Sequence, residues 1–378
     1  MSNNGQYLKE VYINPVKLKE LNFDEYGTIR PTGNIKNFII GLRPYHKSGV
    51  PVTKSEKNKN KQVISHNYGH AGIGYTILFG SVNESLTLFK RFEVDKNEEI
   101  TIIGMGIIGL TTAIKLHEIG YTNILIIGEN TNNIASNNSG GLIDFSLQTI
   151  FSRDQFERMN NLFLESFLEY RKICGDPNHY LHKDVIPIDY YTDLYQRTAG
   201  LDFLAEQGII AKGENVLLKV KGNENISYKV HHFKTFNVIP ETFMSSLKNK
   251  VKEYGIKTQF TKLGSLAEVK SKAIFNCTGL GARSLVNDIN MYPVCGLAFE
   301  LSEGNTKENN YIVRFNSIPG LENTEIDGSF YFMPRTSGFL GSTHIKNYEG
   351  NDDKYNKELM SNLAKRASFF FKGVKPKF

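Results

Sequence analysis

Gly104, Gly106 and Gly109 follow the order G-x-G-x-x-G between an apolar run, Ile100–Ile103, and a helix-forming stretch that reaches Leu116. That spacing has a mechanical meaning. The first glycine permits a tight turn, the second lets a pyrophosphate approach the backbone, and the third lets the helix pack close to the strand. Ile107 and Ile108 open the helix, whose positive end then faces the phosphates. After the next predicted strand, Ile124–Ile127, Gly128 stands where an acid is expected and Glu129 follows it, so Glu129 is the candidate for the ribose hydroxyls. Such a turn usually opens a dinucleotide-binding domain, yet here about a hundred residues precede it. They include a second glycine-rich turn, His66-Asn-Tyr-Gly69-His-Ala-Gly72-Ile-Gly74, which also runs into an amphipathic helix.

The elements that must hold these turns are legible from periodicity. Apolar residues at helical spacing predict helices over Tyr75–Phe92, Asp154–Ile173, Pro240–Tyr254 and Asp353–Phe371, with a short one at Gly200–Glu206. Compact apolar or alternating runs predict strands at Asn37–Leu42, Lys257–Thr261, Ala273–Cys277, Ala298–Leu301, Tyr311–Asn316, Ser329–Met333 and Phe339–Thr343. Strand-like pieces also dominate Val185–Lys234. Val50–Ile64 reads as a hairpin around a Lys/Asn-rich tip, and residues 1–36 as a polar arm or lid.

Composition narrows the classes. A chain of 378 residues with 40% hydrophobic and 22% charged residues is ordinary for a globular protein. The net charge of +6 is mild, and no basic stripe with interleaved aromatics suggests nucleic acid. Cys174, Cys277 and Cys295 show no metal-ligand spacing, and a sparse odd set fits a reducing compartment. His66 and His70 stand four apart, but no third ligand accompanies them, so no metal is expected. The absence of a membrane-span or signal pattern makes the cytoplasm the default location.

A family resemblance emerges from the motifs in series. Gly104–Leu110, Ser136-Asn-Asn-Ser139-Gly140-Gly141-Leu142 and Ile274-Phe-Asn-Cys-Thr278-Gly279-Leu-Gly281-Ala-Arg283 resemble successive motifs of the D-amino-acid oxidase family of flavoenzymes. Tyr292-Pro293-Val-Cys-Gly296, Ser329-Phe-Tyr331-Phe-Met-Pro334 and Gly341-Ser-Thr343 continue the series. Gly41-Leu-Arg43-Pro44 and His66–Gly74 resemble motifs that close the chain in that family, whereas here they come first. The resemblance covers roughly residues 37–378. It implies FAD rather than NAD, and a circular permutation that moved the last segment to the front. Seven extended residues, Glu93–Glu99, reach about 23 Å, enough to join the end of one helix to the first Rossmann strand. A chain-exchanged homodimer completing the site in trans is the other arrangement left open.

The resemblance also implies roles. Backbone N–H groups of Gly72, Ile73, Gly74, Tyr75 and Thr76 would stabilise negative charge on the reduced flavin. Ser139, Gly140 and Leu142 would lie along the flavin or its phosphates, Leu263 near adenine, and Thr278 and Gly279 at the nucleotide edge. Arg43 would anchor a substrate carboxylate through its guanidinium fork, Tyr331 would donate to the same group, and the Gly72 carbonyl would accept from the amine. No side-chain acid or base is required if the α-hydrogen leaves a neutral amine as hydride to flavin N5. The expected reaction is FAD-dependent oxidation of a carboxylate-bearing amine, most simply a D-amino acid, with molecular oxygen giving hydrogen peroxide. A glycine- or sarcosine-type oxidase is the nearest alternative; a non-catalytic flavin- or nucleotide-binding protein and a nicotinamide dehydrogenase are others. Asp327, Ile73 and Tyr45-His46 depart from the family pattern and put the substrate side chain in doubt, Asp327 suggesting a basic one. The expected fold is α/β, with a Rossmann-type FAD-binding domain (37–150 and 236–290) and a mixed-sheet substrate domain (151–235 and 291–378).

Overall fold

The computed structural model describes residues 8–16, 18, 38–129, 134–145, 153–193, 199–301, 309–324, 326–336, 338–342 and 344–373. Among them, one six-stranded sheet runs in the order β10 (Lys257–Phe260), β6 (Ile124–Gly128), β5 (Ile100–Ile103), β11 (Ala273–Asn276), β4 (Val63–Tyr68), β3 (Val52–Lys57). The first five strands are parallel and β3 pairs antiparallel at the edge. Every residue of β4, β5 and β11 is buried, as a parallel sheet covered on both faces requires.

Helix α1 (Leu78–Lys90) follows β4 and packs on α2 (Ile107–Glu118), which follows β5 and packs in turn on α5 (Pro240–Glu253). The long α3 (Arg153–Gly175) crosses α1 at Gly80, where a Cβ would fall 2.2 Å from the Leu162 carbonyl oxygen. The Gly80 N–H donates to Ser166 Oγ at 2.9 Å, and Ser166 Oγ donates to Leu162 O at 2.8 Å. Only a residue without a side chain lets these two backbones meet so closely.

The second sheet has ten strands in the order β1 (Lys9–Ile13), β8 (Glu214–Val220), β9 (Ser227–Val238), β7 (Val185–Asp193), β13 (Tyr311–Phe315), β14 (Phe330–Met333), β15 (Phe339–Gly341), β12 (Met291–Glu300), β16 (Ile345–Lys346), with β2 (Phe38–His46) paired along β12. Helix α7 (Asp353–Lys372) covers it: Phe370 and Phe371 pack on Phe330, and Phe370 also on Tyr228 and Phe315. Asp352 caps α7 by accepting from the Tyr355 N–H at 3.0 Å, and Gly373 ends it in the left-handed region at φ +67°. Two short helices, α4 (Ala199–Glu206) and α6 (Ala282–Leu285), complete the set.

Three expectations are corrected. The strand expected at Asn37–Leu42 in the FAD-binding layer belongs to the ten-stranded sheet, because it pairs antiparallel with β12 from Phe38↔Phe299 to His46↔Met291. The arm at 1–36 is no lid where it is described: Lys9–Ile13 adds a parallel edge strand to β8, and Tyr311 Oη donates to Asn14 O at 2.6 Å. Most of the remaining arm, and Thr343, lie outside the described residues. Strand β4 runs on through Tyr68, so the second turn begins at Gly69 (φ +80°) rather than at His66.

Gly80→Ala would force α1 and α3 apart and is expected to destabilise the fold by about 1–3 kcal/mol. A chemical-denaturation midpoint equal to wild type would show that this crossing does not depend on the glycine.

Candidate active site

The parallel strands deliver both glycine turns to one edge of the six-stranded sheet. Asn276 of β11 is in register with Ile103 of β5 on one side and His66 of β4 on the other. A cavity of about 910 Å³ opens beyond the carboxyl ends of these strands and extends to the face of the ten-stranded sheet that carries Arg43 and Tyr331. This is where α/β sheets place their ligands, at the point where strand order reverses.

At the near end, Gly104 takes φ +115°, and a Cβ there would lie 2.4 Å from Cys277 O. A Cβ on Gly109 would lie 1.9 Å from Gly104 O, so this glycine packs helix against turn; it is the one residue of the expected cofactor set that does not line the cavity. Gly106 differs, because a Cβ there would meet only Ser136 Oγ, at 3.2 Å. Its surroundings are open cavity, bordered by Ile107, Ile108, Glu129, Leu263, Thr278 and Gly279. The Ile107 N–H donates to Ser136 Oγ at 3.0 Å, and Lys262 Nζ donates to Glu129 Oε1 at 3.0 Å on the surface.

The second turn brings Gly72, Ile73, Gly74, Tyr75 and Thr76 to the middle of the cavity. Among the described residues, the N–H groups of Gly72, Gly74, Tyr75 and Thr76 find no hydrogen-bond acceptor within the chain. Four such donors at the start of a helix form a site for negative charge. Tyr75 Oη donates to Ser136 O (2.9 Å) and Thr76 Oγ1 to Asp144 O (3.0 Å), which ties the turn to the segment 134–145. That segment, with Ser139, Gly140 and Leu142 on the cavity, threads between the sheets. Cβ atoms on Gly140 and Gly141 would strike Met333 Sδ and Val238 O. His66 is engaged with Glu56 (3.6 Å) and His70 with Ser81 Oγ (3.2 Å).

At the far end, Arg43 projects from β2 across two glycines. A Cβ on Gly296 would fall 2.6 Å from an Arg43 guanidinium nitrogen, and one on Gly72 would fall 3.0 Å from its Cδ. Tyr331 lies flat over Gly341, its partner across β14–β15, with its ring 6.0 Å from Phe339. Asp327 does not line the cavity; it accepts from Ser317 Oγ (2.5 Å) and the Gly328 N–H (2.7 Å), so the basic-substrate role suggested for it lacks a position.

Among the further lining residues that the sequence reading did not single out are Asp144, Arg314 and His344. Asp144 is 5% exposed, and burial pushes its carboxyl up to about 7 against the opposing pull of Arg314. His344 sits edge-on to Tyr45 at 5.4 Å. Desolvation by the surrounding chain, then the charges of Arg43, Lys346 and Arg314, hold its imidazole down to about 4, hence neutral near pH 7. A lone arginine in the apolar run Tyr311–Phe315 was the available signal for Arg314.

A model of the FAD-dependent oxidoreductase family known as DAO matches residues 99–377. The chain belongs to this family. Its cofactor is accordingly FAD. Among solved structures it is similar to fructosamine oxidase (amadoriase II) from Aspergillus fumigatus, at 15% identity over 66% of this chain and 64% of that one, with a TM-score of 0.43. It is also similar to iminodiacetate oxidase from a Chelativorans species, at 13% identity over 73% and 79% with a TM-score of 0.48. A third is FAD-complexed glycerol-3-phosphate dehydrogenase from Bacillus halodurans, at 11% over 75% and 55% with a TM-score of 0.44. The chain spans 63% of the first amadoriase it matches. The residues of this oxidoreductase fit FAD: open space at Gly106 suits a pyrophosphate, and the four donors at the start of α1 suit an anionic ring edge. No described helix is long and apolar enough to cross a membrane.

Gly106→Val adds bulk to the cavity with only Ser136 Oγ to displace. The purified variant is expected to lose its flavin absorbance while the flavin-free protein melts close to flavin-free wild type. Retained yellow colour would remove Gly106 from the cofactor contact. Asp144 supplies a pH test. Its folded value, about 7, stands above its ordinary 3.8, so the stability tied to its neutral form is complete below about pH 4 and is lost as pH rises through 7. Asp144→Asn should therefore raise the melting temperature relative to wild type at about pH 9 and not at about pH 4. Equal differences at both would contradict a neutral buried carboxyl.

Proposed function

We propose that this FAD-dependent oxidoreductase oxidises a carboxylate-bearing amine, most simply a D-amino acid, to the imine, which water converts to a 2-oxo acid and ammonia. The observation that carries the reading is the presence of both Arg43 and Tyr331 on the wall of the cavity that the Gly72–Thr76 turn also lines. Bound FAD supplies the two-electron acceptor, and its reoxidation by oxygen yields hydrogen peroxide.

The chain's contribution is binding and orientation. The Arg43 fork would take the carboxylate through two parallel hydrogen bonds, and Tyr331 Oη would donate to the same group. The Gly72 carbonyl, next to Arg43 Cδ, would accept from the amine. With acid end and nitrogen both fixed, one face of the α-carbon is presented, and rate comes from positioning and electrostatics rather than a side-chain base. The N–H groups of Gly72, Gly74, Tyr75 and Thr76 would offset negative charge developing on the acceptor. A neutral His344 leaves the chamber's positive charge to its arginines.

We also read the chain as circularly permuted. The family match begins at residue 99, just before β5, whereas β4, α1 and the Gly72–Thr76 turn precede it and still complete the cavity. The direct pairing of β4 with β11 supports a site closed within one chain. On this reading the FAD-binding layer is residues 47–145 and 239–290, with the ten-stranded sheet supplying the substrate wall.

Arg43→Leu is the direct test. It is expected to retain flavin and to lose about a hundredfold or more in the rate of anaerobic flavin bleaching by amino acids. Unchanged bleaching would remove Arg43 as the carboxylate anchor. A yellow wild-type protein that no amine bleaches would favour a non-catalytic flavin protein instead.

A further inference from the structure

Arg43 and Tyr331 account for one carboxylate and leave part of the chamber unassigned. Arg314 stands directly across from Tyr331 in the β13–β14 pairing and from Thr192 in the β13–β7 pairing. Paired residues share a face of the sheet, and both Arg314 and Tyr331 line the cavity. It is the charged residue of an otherwise apolar strand, Tyr-Ile-Val-Arg-Phe, whose other members are buried. Asp144 also lines the cavity; its buried carboxylate oxygens have no side-chain hydrogen-bond partner among the described residues, and the Phe145 and Leu201 N–H groups are the backbone donors that act on them. Its backbone is fixed to the start of α1 through Thr76 Oγ1. Arg43, Arg314, Tyr45 and His344 all line this one cavity.

A buried carboxyl without a side-chain partner, in one cavity with an arginine, has a definite chemical preference. A carboxylate placed between them can accept from the guanidinium and from the carboxyl O–H if Asp144 keeps its proton. We propose that Arg314 and Asp144 form a second subsite of the chamber that takes the distal carboxylate of a dicarboxylic amine, Arg314 through its N–H groups and Asp144 through its O–H. The inference rests on the amine-oxidising reading above and names the substrate class for it.

The charged and titratable groups that act on Asp144 are Arg314 from β13, Asp202 from α4 and Tyr190 from β7. Burial, first, and Asp202 favour the neutral acid; Arg314 and the N–H groups of Phe145 and Leu201 oppose, and the balance stands at about 7. A second carboxylate arriving beside Asp144 favours the neutral form further. Binding of a dicarboxylate is therefore strongest below pH 7 and weakens as pH rises past the point where Asp144 ionises.

The test uses the FAD-loaded protein and two inert probes, glutarate and butyrate, with binding followed by calorimetry. Glutarate should bind at least roughly tenfold more tightly than butyrate below pH 7, and the advantage should shrink as pH rises. Arg314→Leu should abolish the advantage, and Arg314→Lys, which keeps the charge without the fork, should retain part of it. Asp144→Asn, a permanent donor, should keep the advantage but lose its pH dependence. Equal binding of the two probes by wild type, or an advantage that survives Arg314→Leu, overturns the proposal. So does anaerobic flavin bleaching that is faster with D-lysine than with D-glutamate. Failure of the parent reading is separate: if no amine bleaches the flavin while glutarate keeps its advantage, the amine reaction falls and the dianion subsite stands.

Discussion

The parallel register of β11 between β5 and β4 is the constraint on which everything in the cavity depends. One residue, Asn276, is opposite Ile103 on one side and His66 on the other. The backbone hydrogen bonds of those two ladders put the turn at Gly104 and the turn at Gly69 at one height on one edge. Each turn is followed by a returning helix, so two helix starts converge on the same space. A slip of one residue in either ladder would turn that strand's side chains to the opposite face and displace its glycine turn. The strands resist this because they are buried on both faces, and the chain meets there with glycines in closest contact.

The segment 134–145 transmits that edge to the other sheet. Gly140 passes under Met333 of β14, and Gly141 (φ +80°) under the Val238 carbonyl of β9, whose own N–H donates to Gly141 O at 2.8 Å. Arg335 adds an ion pair with Glu241 at the start of α5 and a hydrogen bond to Asn137 O at 3.1 Å. The distance between the nucleotide end and the arginine end is thus set by backbone contacts with no slack for added atoms. Rigid elements rather than loops carry Arg43, Arg314 and Tyr331, which suits a site whose work is orientation.

Much of this was legible in the sequence, for a local reason. A glycine required by a turn or a close approach leaves a mark at fixed spacing, so Gly104, Gly106, Gly109, Gly72 and Gly74 could be found without knowing what surrounds them. Helices α1, α3, α5 and α7 could be read from their one-sided apolar periodicity. Sheet membership was not local. Phe38–Leu42 is the same compact apolar run whichever sheet it joins, and only the antiparallel match of Phe38–His46 along β12 decides the matter. Arg314 and Asp144 were missed on the same grounds. Neither belongs to a spaced motif; one became a cavity residue by pairing opposite Tyr331, the other by the path of the loop from Leu142 to Phe145.

Charge in the chamber follows from these placements. Arg43 on β2 and Arg314 on β13 stand on one sheet with β14, β15 and β12 between them, and both add positive charge to the cavity they line. The nearby titratable groups respond in the direction that avoids adding to it: His344 stays neutral, with both arginines among the causes. Asp144 is pushed toward its neutral form by burial, with Arg314 pulling the other way. A carboxylate entering this space meets guanidinium N–H groups already carried on strands rather than on loops.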